Sequence, residues 1–462
     1  MIFRAGCCAL GTPVKKCIDQ RRLTTLKKSW SRIFALAMGV PLLLMMLAAC
    51  GGSGTTTGTT PTASGIIKVA TDFPASGAEA TDGLPAQNGA HLAVDEANAS
   101  HLIPGYTLVF VPKDDVGASG IHDPSVGASN VESLIGDAEV AGIVGPFNSN
   151  VAQSEMPITN RAPIALISPS NTNTCLTQTT PDTGCTGAND QVPTLRPTGK
   201  VTYFRVATTD NHQGAVGADF LYKTKNYTTA YVIDDTETYG VGLASQFIKE
   251  FEAAGGKILG HDSIKATTDY TGELAKVAAT KPAVIYFAGV EANGGLQIRK
   301  QMVTTPGLQN TPFAGGDGIQ DSAFATAIGT TTGGPVFSTV AAVDATKVPS
   351  AATFIKNYTA KYGALGAYSA GAYDCMQILL LAIKAAVAAG DKPATSSSDS
   401  AGAQTFRQDV INFIQQTNYN GVTGHQSFDA NGDTTNKTIS VYQLAAVSGA
   451  PGWQYVTAET LP

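Results

Sequence analysis

Apolar runs and amphipathic stretches alternate along most of this chain. In the first half, four segments have the apolar character of strands, at residues 66–73, 106–115, 140–146 and 164–168. Between the first two, the segment 85–98 places its alanines and Val94 on one face at helical spacing, and residues 125–137 form a second helical pattern. Strands that alternate with helices of about three turns predict parallel sheets in a doubly wound α/β fold.

The same alternation begins again after a loop flanked by two cysteines. Its units are a segment at 202–214 followed by a helix at 214–223, a strand, loop and helix at 229–258, a strand at 281–289 followed by a helix through Met302, and a strand and turn at 311–319. A second α/β domain of similar design is therefore predicted. Beyond it we expect two helices in 345–389, an exposed loop at 391–403, and a hairpin at 425–444 that turns at Asn431-Gly432.

The first 49 residues read as a targeting segment rather than as part of the fold. Eight basic residues and one Asp accompany an apolar stretch at 33–49, which has the length of a secretory signal core. The sequence LAAC at 47–50 matches the bacterial lipoprotein signal, which implies cleavage before Cys50 and lipid attachment to that cysteine. An uncleaved signal anchor is the alternative. Residues 50–65, rich in Gly and Thr, are predicted to form a flexible tether.

Composition and net charge limit the classes of binding partner that we expect. The chain has 462 residues, 43% of them hydrophobic and 14% charged, which suits a globular protein with a large core and two domains. Without residues 1–49, it carries 22 basic and 35 acidic residues, a balance of about −13. That charge argues against binding to nucleic acid or to an anionic membrane through a basic face.

The sequence predicts neither a catalytic site nor a metal site. The signatures G-x-S-x-G, H-E-x-x-H and G-x-x-x-x-G-K-[ST] are absent, the six histidines are scattered, and no cofactor is expected. DANGD at 429–433 resembles the start of a calcium loop, but Ser440 stands at the twelfth position instead of Glu, so we interpret it as a turn. Because exported proteins meet oxidising conditions, Cys175 and Cys185 are predicted to form a disulfide. Cys375 lies in an apolar run and is predicted to be buried.

Two strand ends carry small polar residues that suit a small anion. They read GPFNSN at 145–150 and ISPSNT at 167–172, the first of them just before a predicted helix. A helix N-terminus offers unpaired N–H groups and the positive end of a dipole, and hydroxyl groups add further donors. Ser149 is therefore either a ligand-binding residue or an ordinary N-cap of the following helix.

The order of these segments resembles a known family. IKVATDFPASG, NGAHLAVDEAN, GPFNSN, ISPS, DNHQG, DDTETYG, AGGDG and FDANGD follow one another as in the type I periplasmic-binding-fold proteins of branched-chain amino acid ABC importers. The resemblance covers about residues 66–445. It implies two Rossmann-like lobes that are joined by three crossovers, with a hinge and a central ligand cleft. The implied N-terminal lobe is 66–207 plus 342–424, and the C-terminal lobe is 208–341 plus 425–462.

The resemblance also implies roles for individual residues. It places Ser149, the Ser170 backbone and the Thr172 side chain at the carboxylate of the ligand. It places Asp317, in AGGDG, at the ligand ammonium, and Tyr239 on the ligand from the other lobe. From the residues alone, Asp317 is equally an ordinary turn aspartate, and Tyr239 an aromatic packed on the sheet.

The side-chain end of the pocket departs from the family pattern. Some relatives place an aromatic residue in the loop around 76–83 and another after the strand at 281–289, whereas this chain has SGAEATDG and Val290-Glu291 there. The sequence therefore leaves a polar ligand or a larger ligand as an alternative. The possible additional contacts are Asn148, Glu79, Asp82 and Glu291, and the alternative for the three acids is a solvated surface position.

The resemblance leads to an expected function. The chain is expected to be an exported, monomeric solute-binding lipoprotein, held at the outer face of the cytoplasmic membrane. It captures an amino acid or an amino-acid-like solute by lobe closure and delivers it to an ABC permease, with no bond made or broken. The alternatives are a ligand-binding module of a sensor system, or an importer component for amides or other small carboxylic acids.

Overall fold

The structure is a computed structural model that describes residues 65–461. These residues contain fourteen strands and twelve α-helices. The strands are β1 (Gly65–Phe73), β2 (Tyr106–Asp114), β3 (Val140–Val144), β4 (Ala165–Ser168), β5 (Tyr203–Arg205), β6 (Thr229–Asp234), β7 (Lys257–Ser263), β8 (Val284–Ala288), β9 (Phe313–Gly315), β10 (Val336–Val340), β11 (Tyr419–Gly421), β12 (Gly424–Gln426), β13 (Thr438–Val447) and β14 (Ala450–Thr460). The predicted signal peptide, Cys50 and the tether up to residue 64 lie outside the described residues.

The helices alternate with these strands over most of the chain. They are α1 (Ala80–Ala99), α2 (Pro124–Gly136), α3 (Ser149–Arg161), α4 (Val192–Leu195), α5 (Asp210–Asp219), α6 (Thr238–Ala253), α7 (Thr271–Thr280), α8 (Gly295–Met302), α9 (Ser322–Ile328), α10 (Ala352–Tyr362), α11 (Ser369–Ala389) and α12 (Ser400–Gln415).

The first sheet is parallel and has the strand order β2-β1-β3-β4-β5. Every residue of β3 and β4 is buried, as expected for parallel strands that are covered on both faces. One face packs against α1, α10, α11 and α12, in a core that joins Ile67 to Phe354 and Leu379. The other face packs against α2 and α3, through Leu134 and Met156.

The second sheet has the strand order β14-β13-β10-β9-β8-β6-β7. Strands β6 to β10 run parallel, and β13 and β14 add an antiparallel edge. Its two faces pack against α5 and α6 on one side and against α7, α8 and α9 on the other. The chain therefore passes between the two sheets three times: after β5, after β10 and before β13.

Three local predictions are wrong. The segment 77–83 is helical and not a loop, because a 3-10 turn at Gly77–Glu79 leads directly into α1. The end of the predicted loop at 391–403 already belongs to α12, since Asp399 accepts a bond from the Gly402 amide as its N-cap. The predicted hairpin at 425–444 is right at its turn, since Asn431-Gly432 lies in a tight turn closed by the antiparallel bridge between Phe428 and Thr434, but wrong in its extent, because the strands on either side belong to other hairpins.

The long hairpin β13-β14 turns at Ser448 and Gly449, which both have positive φ, at 50° and 88°. This is the backbone that a two-residue hairpin turn requires. Among the described residues, one helix, Ser369–Ala389, is long and apolar enough to cross a membrane. In the structure that helix is a core element, in contact with α1 and α12.

Candidate ligand-binding site

The predicted site residues follow the carboxyl ends of strands in both sheets. Because the carboxyl ends of parallel strands share one edge, each sheet presents its group of loops on one side. Several polar contacts connect the two groups directly, and three of them are as follows. Thr238 Oγ1 donates to Gln153 Oε1 at 2.7 Å, Asn173 Nδ2 donates to the Thr238 carbonyl at 2.7 Å, and Thr81 Oγ1 lies 3.5 Å from Asp321 Oδ1. The two edges therefore face each other.

The start of α3 is shaped as an anion-binding end. Its N-cap is Asn148, whose side chain makes no capping bond and whose Oδ1 is buried without a partner. Ser149 is the first residue of the helix and is 2% exposed. Ser149 is therefore not the N-cap, which removes the plain capping role that the sequence left open. The first amide hydrogens of a helix lack backbone partners within it, and here the Val151 amide donates to Asn150 Oδ1 at 2.9 Å, which leaves those of Ser149 and Asn150 as the donors nearest the helix start.

The segment after β4 lies beside the start of α3. Ser170 Oγ donates to the Phe147 carbonyl at 2.9 Å, and the Ser170 amide has a long contact of 3.3 Å with Ser168 Oγ. Thr172 is fully buried, and its Oγ1 makes no close hydrogen bond, although the hydroxyl faces the Asp210 carboxylate and opposes the rise in the pKa of that group. A buried hydroxyl without a close partner costs free energy, which a ligand oxygen placed there would recover.

Asp317 follows β9, and two donors hold it. Gln213 Nε2 donates to Asp317 Oδ1 at 2.6 Å, and Tyr239 Oη donates to the same oxygen at 3.1 Å. Burial raises the pKa of Asp317, although these bonds oppose the rise. Gly316 permits the approach, because a Cβ there would collide with Tyr239 Oη. The carboxylate is thus fixed in place, and the Tyr368 hydroxyl also opposes the rise in its pKa.

Tyr239 packs on the second sheet, which is one of the two alternatives that the sequence left open, and it also contacts Asp317. Its ring packs in the apolar cluster of the second sheet with Leu243 and Ala288. Its hydroxyl donates to Asp317 and accepts a bond from the Gly318 amide at 3.3 Å. Through this hydroxyl, α6 orients the carboxylate.

Sequence reasoning missed three residues near Asp317. Asp210 begins α5 and is fully buried, and neither of its carboxylate oxygens makes a close hydrogen bond. Burial raises the pKa of Asp210 to about 8, and the Thr172 hydroxyl opposes that rise. Gln213 lies one helical turn later, and Tyr368 has a buried hydroxyl that faces Asp317. The signal for Asp210 was an acid at a helix start directly after a strand.

Four acids form what we call the acidic cluster: Glu79, Asp82, Glu291 and Asp321. Three of them were proposed as possible contacts from the sequence, and Asp321 was missed. Glu79 Oε1 lies 2.8 Å from His122 Nδ1. Burial, together with the charges of Asp321 and Glu79, raises the pKa of Glu291 to about 8. Burial also raises the pKa of Asp82, with contributions from the other three acids.

The structure joins Cys175 and Cys185 in a disulfide, as predicted. The loop that it closes reaches α6, because Thr183 O accepts a bond from Gln246 Nε2 at 2.7 Å. Cys375 is buried and free, also as predicted. Within residues 65–461, no group of three or more His, Cys, Asp or Glu side chains is placed to hold a metal ion.

The site residues thus fall into two sets. Asn148, Ser149, Ser170 and Thr172 lie along the edge of the first sheet, and Tyr239 and Asp317 are in contact on the edge of the second. The backbone of Thr172 connects the sets, because its carbonyl accepts a bond from the Asp210 amide at 2.8 Å. The acidic cluster takes residues from both edges.

Comparisons with known proteins agree with this architecture. The model of the family described as periplasmic binding protein matches residues 66–450. The chain is 28% identical over 388 residues to the Leu/Ile/Val-binding protein BraC3 of Rhizobium johnstonii, covering 84% of this chain and 94% of that protein.

Two solved structures share the fold. The leucine binding protein LivK from Thermotoga maritima has a TM-score of 0.68 at 22% identity, covering 85% of this chain and 99% of that one. A solute binding protein of an ABC transporter from R. palustris, in complex with 4-hydroxybenzoate, has a TM-score of 0.67 at 17% identity, with coverages of 86% and 97%.

Proposed function

Because this chain belongs to the periplasmic binding protein family, we propose that it is the solute-binding component of an ABC importer for an amino acid or an amino-acid-like solute. Its relatives are binding proteins, and the chain is a binding protein and not an enzyme. One observation carries the ligand class. Donors that suit a carboxylate stand on one edge, at the Thr172 hydroxyl and the first amides of α3, and a carboxylate that suits an ammonium, Asp317, stands on the other.

Several weak contacts must act together at the carboxylate end. The dipole of α3 contributes about 0.3–1 kcal/mol, and up to ~2 kcal/mol where the site is partly buried. The Thr172 hydroxyl and the amides around Ser149 add donors that are already in place. Asp317 then pairs with the ammonium in a site from which water is excluded, where each charge interaction is stronger than in water.

Closure of two lobes gives the binding mechanism. We assign the lobes as 66–207 plus 342–424 and 208–341 plus 425–462, hinged at the three crossings between the sheets. Only the closed form contacts the ligand from both edges, so the ligand shifts the equilibrium toward closure. The closed form is then the species that the permease recognises.

The proposed location is the outer face of the cytoplasmic membrane. Lipid on Cys50 anchors the protein, and the tether to residue 65 leaves the lobes free to close and to reach the permease as a monomer. Loss of uptake in cells that lack this protein would separate import from a purely sensory role.

A thermal-shift screen of the full-length protein tests the ligand class. The compounds are the α-amino acids, their amides, and carboxylic acids such as 4-hydroxybenzoate. A true ligand at about a hundredfold excess over its Kd stabilises the protein by about 2.7 kcal/mol, and at least one α-amino acid is expected to do so. A shift with carboxylic acids alone, and with no α-amino acid, would contradict the role given to Asp317.

A further inference from the structure

The acidic cluster lies where the two sheet edges meet. Glu79 and Asp82 follow β1 of the first sheet, whereas Glu291 and Asp321 follow β8 and β9 of the second. The 3.5 Å contact between Thr81 and Asp321 brings the two sides together. Like charges across such a contact repel each other, so closure of this edge is unfavourable unless something compensates them.

Two of these acids are buried without a compensating partner. Glu291 is 5% exposed, and its carboxylate makes no hydrogen bond or ion pair with any residue in 65–461. Asp321 is also 5% exposed, and only one of its oxygens is used, for capping α9. Its other oxygen, Oδ2, is buried without a partner. A buried carboxylate in this condition costs several kcal/mol in general, or else remains protonated.

The neighbouring cations do not neutralise the negative charge of the acidic cluster. His122 is bonded to Glu79 and, through Nε2, lies 3.0 Å from Asn150 Nδ2. Lys300 acts on Glu291 from an exposed position on α8. Asp317 adds a further negative charge on the side of Asp82. The cluster therefore keeps an excess of acid for which the described protein supplies no cation.

An organic cation fits this excess better than a metal ion. Within the described residues, no three carboxylates or histidines converge closely enough to hold a metal. An ammonium or guanidinium group has three to five donors and can serve carboxylates that are more widely spaced. The cluster shares its edges with the proposed ammonium-binding Asp317, so a single extended solute can reach both.

We propose that the solute carries a second positive charge, on an amine or guanidinium at its far end, and that Glu291 and Asp321 bind that group. This inference rests on the proposed function, because it takes the carboxylate and ammonium ends as assigned above. Basic amino acids and linear diamines share the required chemistry.

Calorimetric titration of the full-length protein distinguishes basic amino acids from linear diamines as ligands. The ligands are L-lysine, L-arginine, L-norleucine, which is lysine without its terminal amine, and 1,5-diaminopentane, which is lysine without its carboxylate. Lysine or arginine is expected to bind at least about tenfold more tightly than norleucine.

Each other outcome has a distinct meaning. If norleucine binds as tightly as lysine or arginine, or more tightly, the proposed second positive charge on the solute is wrong. The proposed function is not affected by that result. Binding of diaminopentane as tight as that of lysine supports the second charge but contradicts the carboxylate end of the proposed function. If no α-amino acid binds, both proposals fail.

A variant tests the residues themselves. Glu291→Gln is expected to weaken lysine or arginine binding about tenfold while norleucine binding stays unchanged. The matched control is Glu252→Gln, an exposed acid on α6, which is expected to leave both unchanged. Because Glu291 must lose its proton to pair with the cation, lysine affinity should rise from pH 6 to pH 9 in the wild type and much less in Glu291→Gln. Unchanged lysine affinity in Glu291→Gln overturns the assignment.

Discussion

Two buried carboxyl groups, those of Asp317 and Asp210, differ in the hydrogen bonds that they accept. Asp317 receives bonds from Gln213 and Tyr239, which favour its charged form against the effect of burial. Asp210 makes no close hydrogen bond, and burial raises its pKa to about 8 although the Thr172 hydroxyl opposes the rise. At neutral pH, Asp317 is therefore the better of the two to pair with a ligand cation, and Asp210 is mostly protonated.

Replacement of Asp317 by Asn tests this difference at one residue. The amide can still accept bonds from Tyr239 and Gln213, but it removes the charge from the proposed ammonium site. We expect the affinity for solutes with an ammonium group to fall by about 2–5 kcal/mol, measured by calorimetry. Asp182→Asn, at an exposed position in the disulfide loop, should change nothing. An unchanged affinity in Asp317→Asn would remove that residue from the site.

At the scale of elements, one buried ion pair ties three segments together. Arg205, the last residue of β5, donates from Nε to Asp433 Oδ1 at 2.7 Å. Its guanidinium also donates to the Asn173 carbonyl at 2.7 Å, and Thr177 and Gln178 donate to Asp433. Burial alone would raise the pKa of Asp433, but the charge and donors of Arg205 hold it below its ordinary value. The turn at 429–433 is thus an anchor for β5 and for the segment that leads into the disulfide.

Asp433→Asn is expected to destabilise the protein by about 3–5 kcal/mol, because it leaves the buried Arg205 charge uncompensated. Denaturant unfolding at pH 7 measures the loss. Because the folded-state pKa of Asp433 is lowered, its contribution is present above its ordinary pKa and is lost as the pH falls through the folded value. The difference between wild type and variant should therefore shrink in acid.

Asp429→Asn is the control in the same turn. Its Oδ1 accepts from the amides of Asn431 and Asp433, a role that an Asn oxygen can keep. We expect a loss well below that of Asp433→Asn. Equal losses would mean that the turn, and not the ion pair, stabilises this region.

At the scale of the whole molecule, hydrogen bonds connect the two edges. They include the bond from Asn150 to Glu237 at 2.6 Å and the bonds that Thr238 makes with Gln153 and Asn173. Each is worth only about 0.5–1.5 kcal/mol, because water replaces it when the edges separate. An equilibrium between open and closed forms is therefore accessible, and a ligand that contacts both edges can displace it.

Small-angle X-ray scattering of the full-length protein tests this displacement. A saturating ligand, chosen from the thermal-shift screen, is expected to lower the radius of gyration, because the lobes approach each other. Asp317→Asn at the same ligand concentration should show a smaller fall. Identical scattering curves with and without saturating ligand would contradict closure as the mechanism.

The sequence by itself determined the alternating order of strands and helices, because the hydrophobic pattern of each element is complete within a few neighbouring residues. Continuous apolar runs mark β3 and β4, and helical spacing marks most of α1. The disulfide also follows from local spacing and export. The resemblance to a family pointed to Asp317 and Tyr239, which the structure brings into contact.

The tertiary structure alone decided which distant segments meet. Arg205 and Asp433 are 228 positions apart, and β13 pairs with β10 about a hundred residues upstream. The acidic cluster draws on both sheets, so no local pattern could reveal that Glu291 and Asp321 are buried beside Glu79. Helical and strand periods carry information over only a few residues, whereas burial and charge at a site are set by packing between elements that the sequence keeps apart.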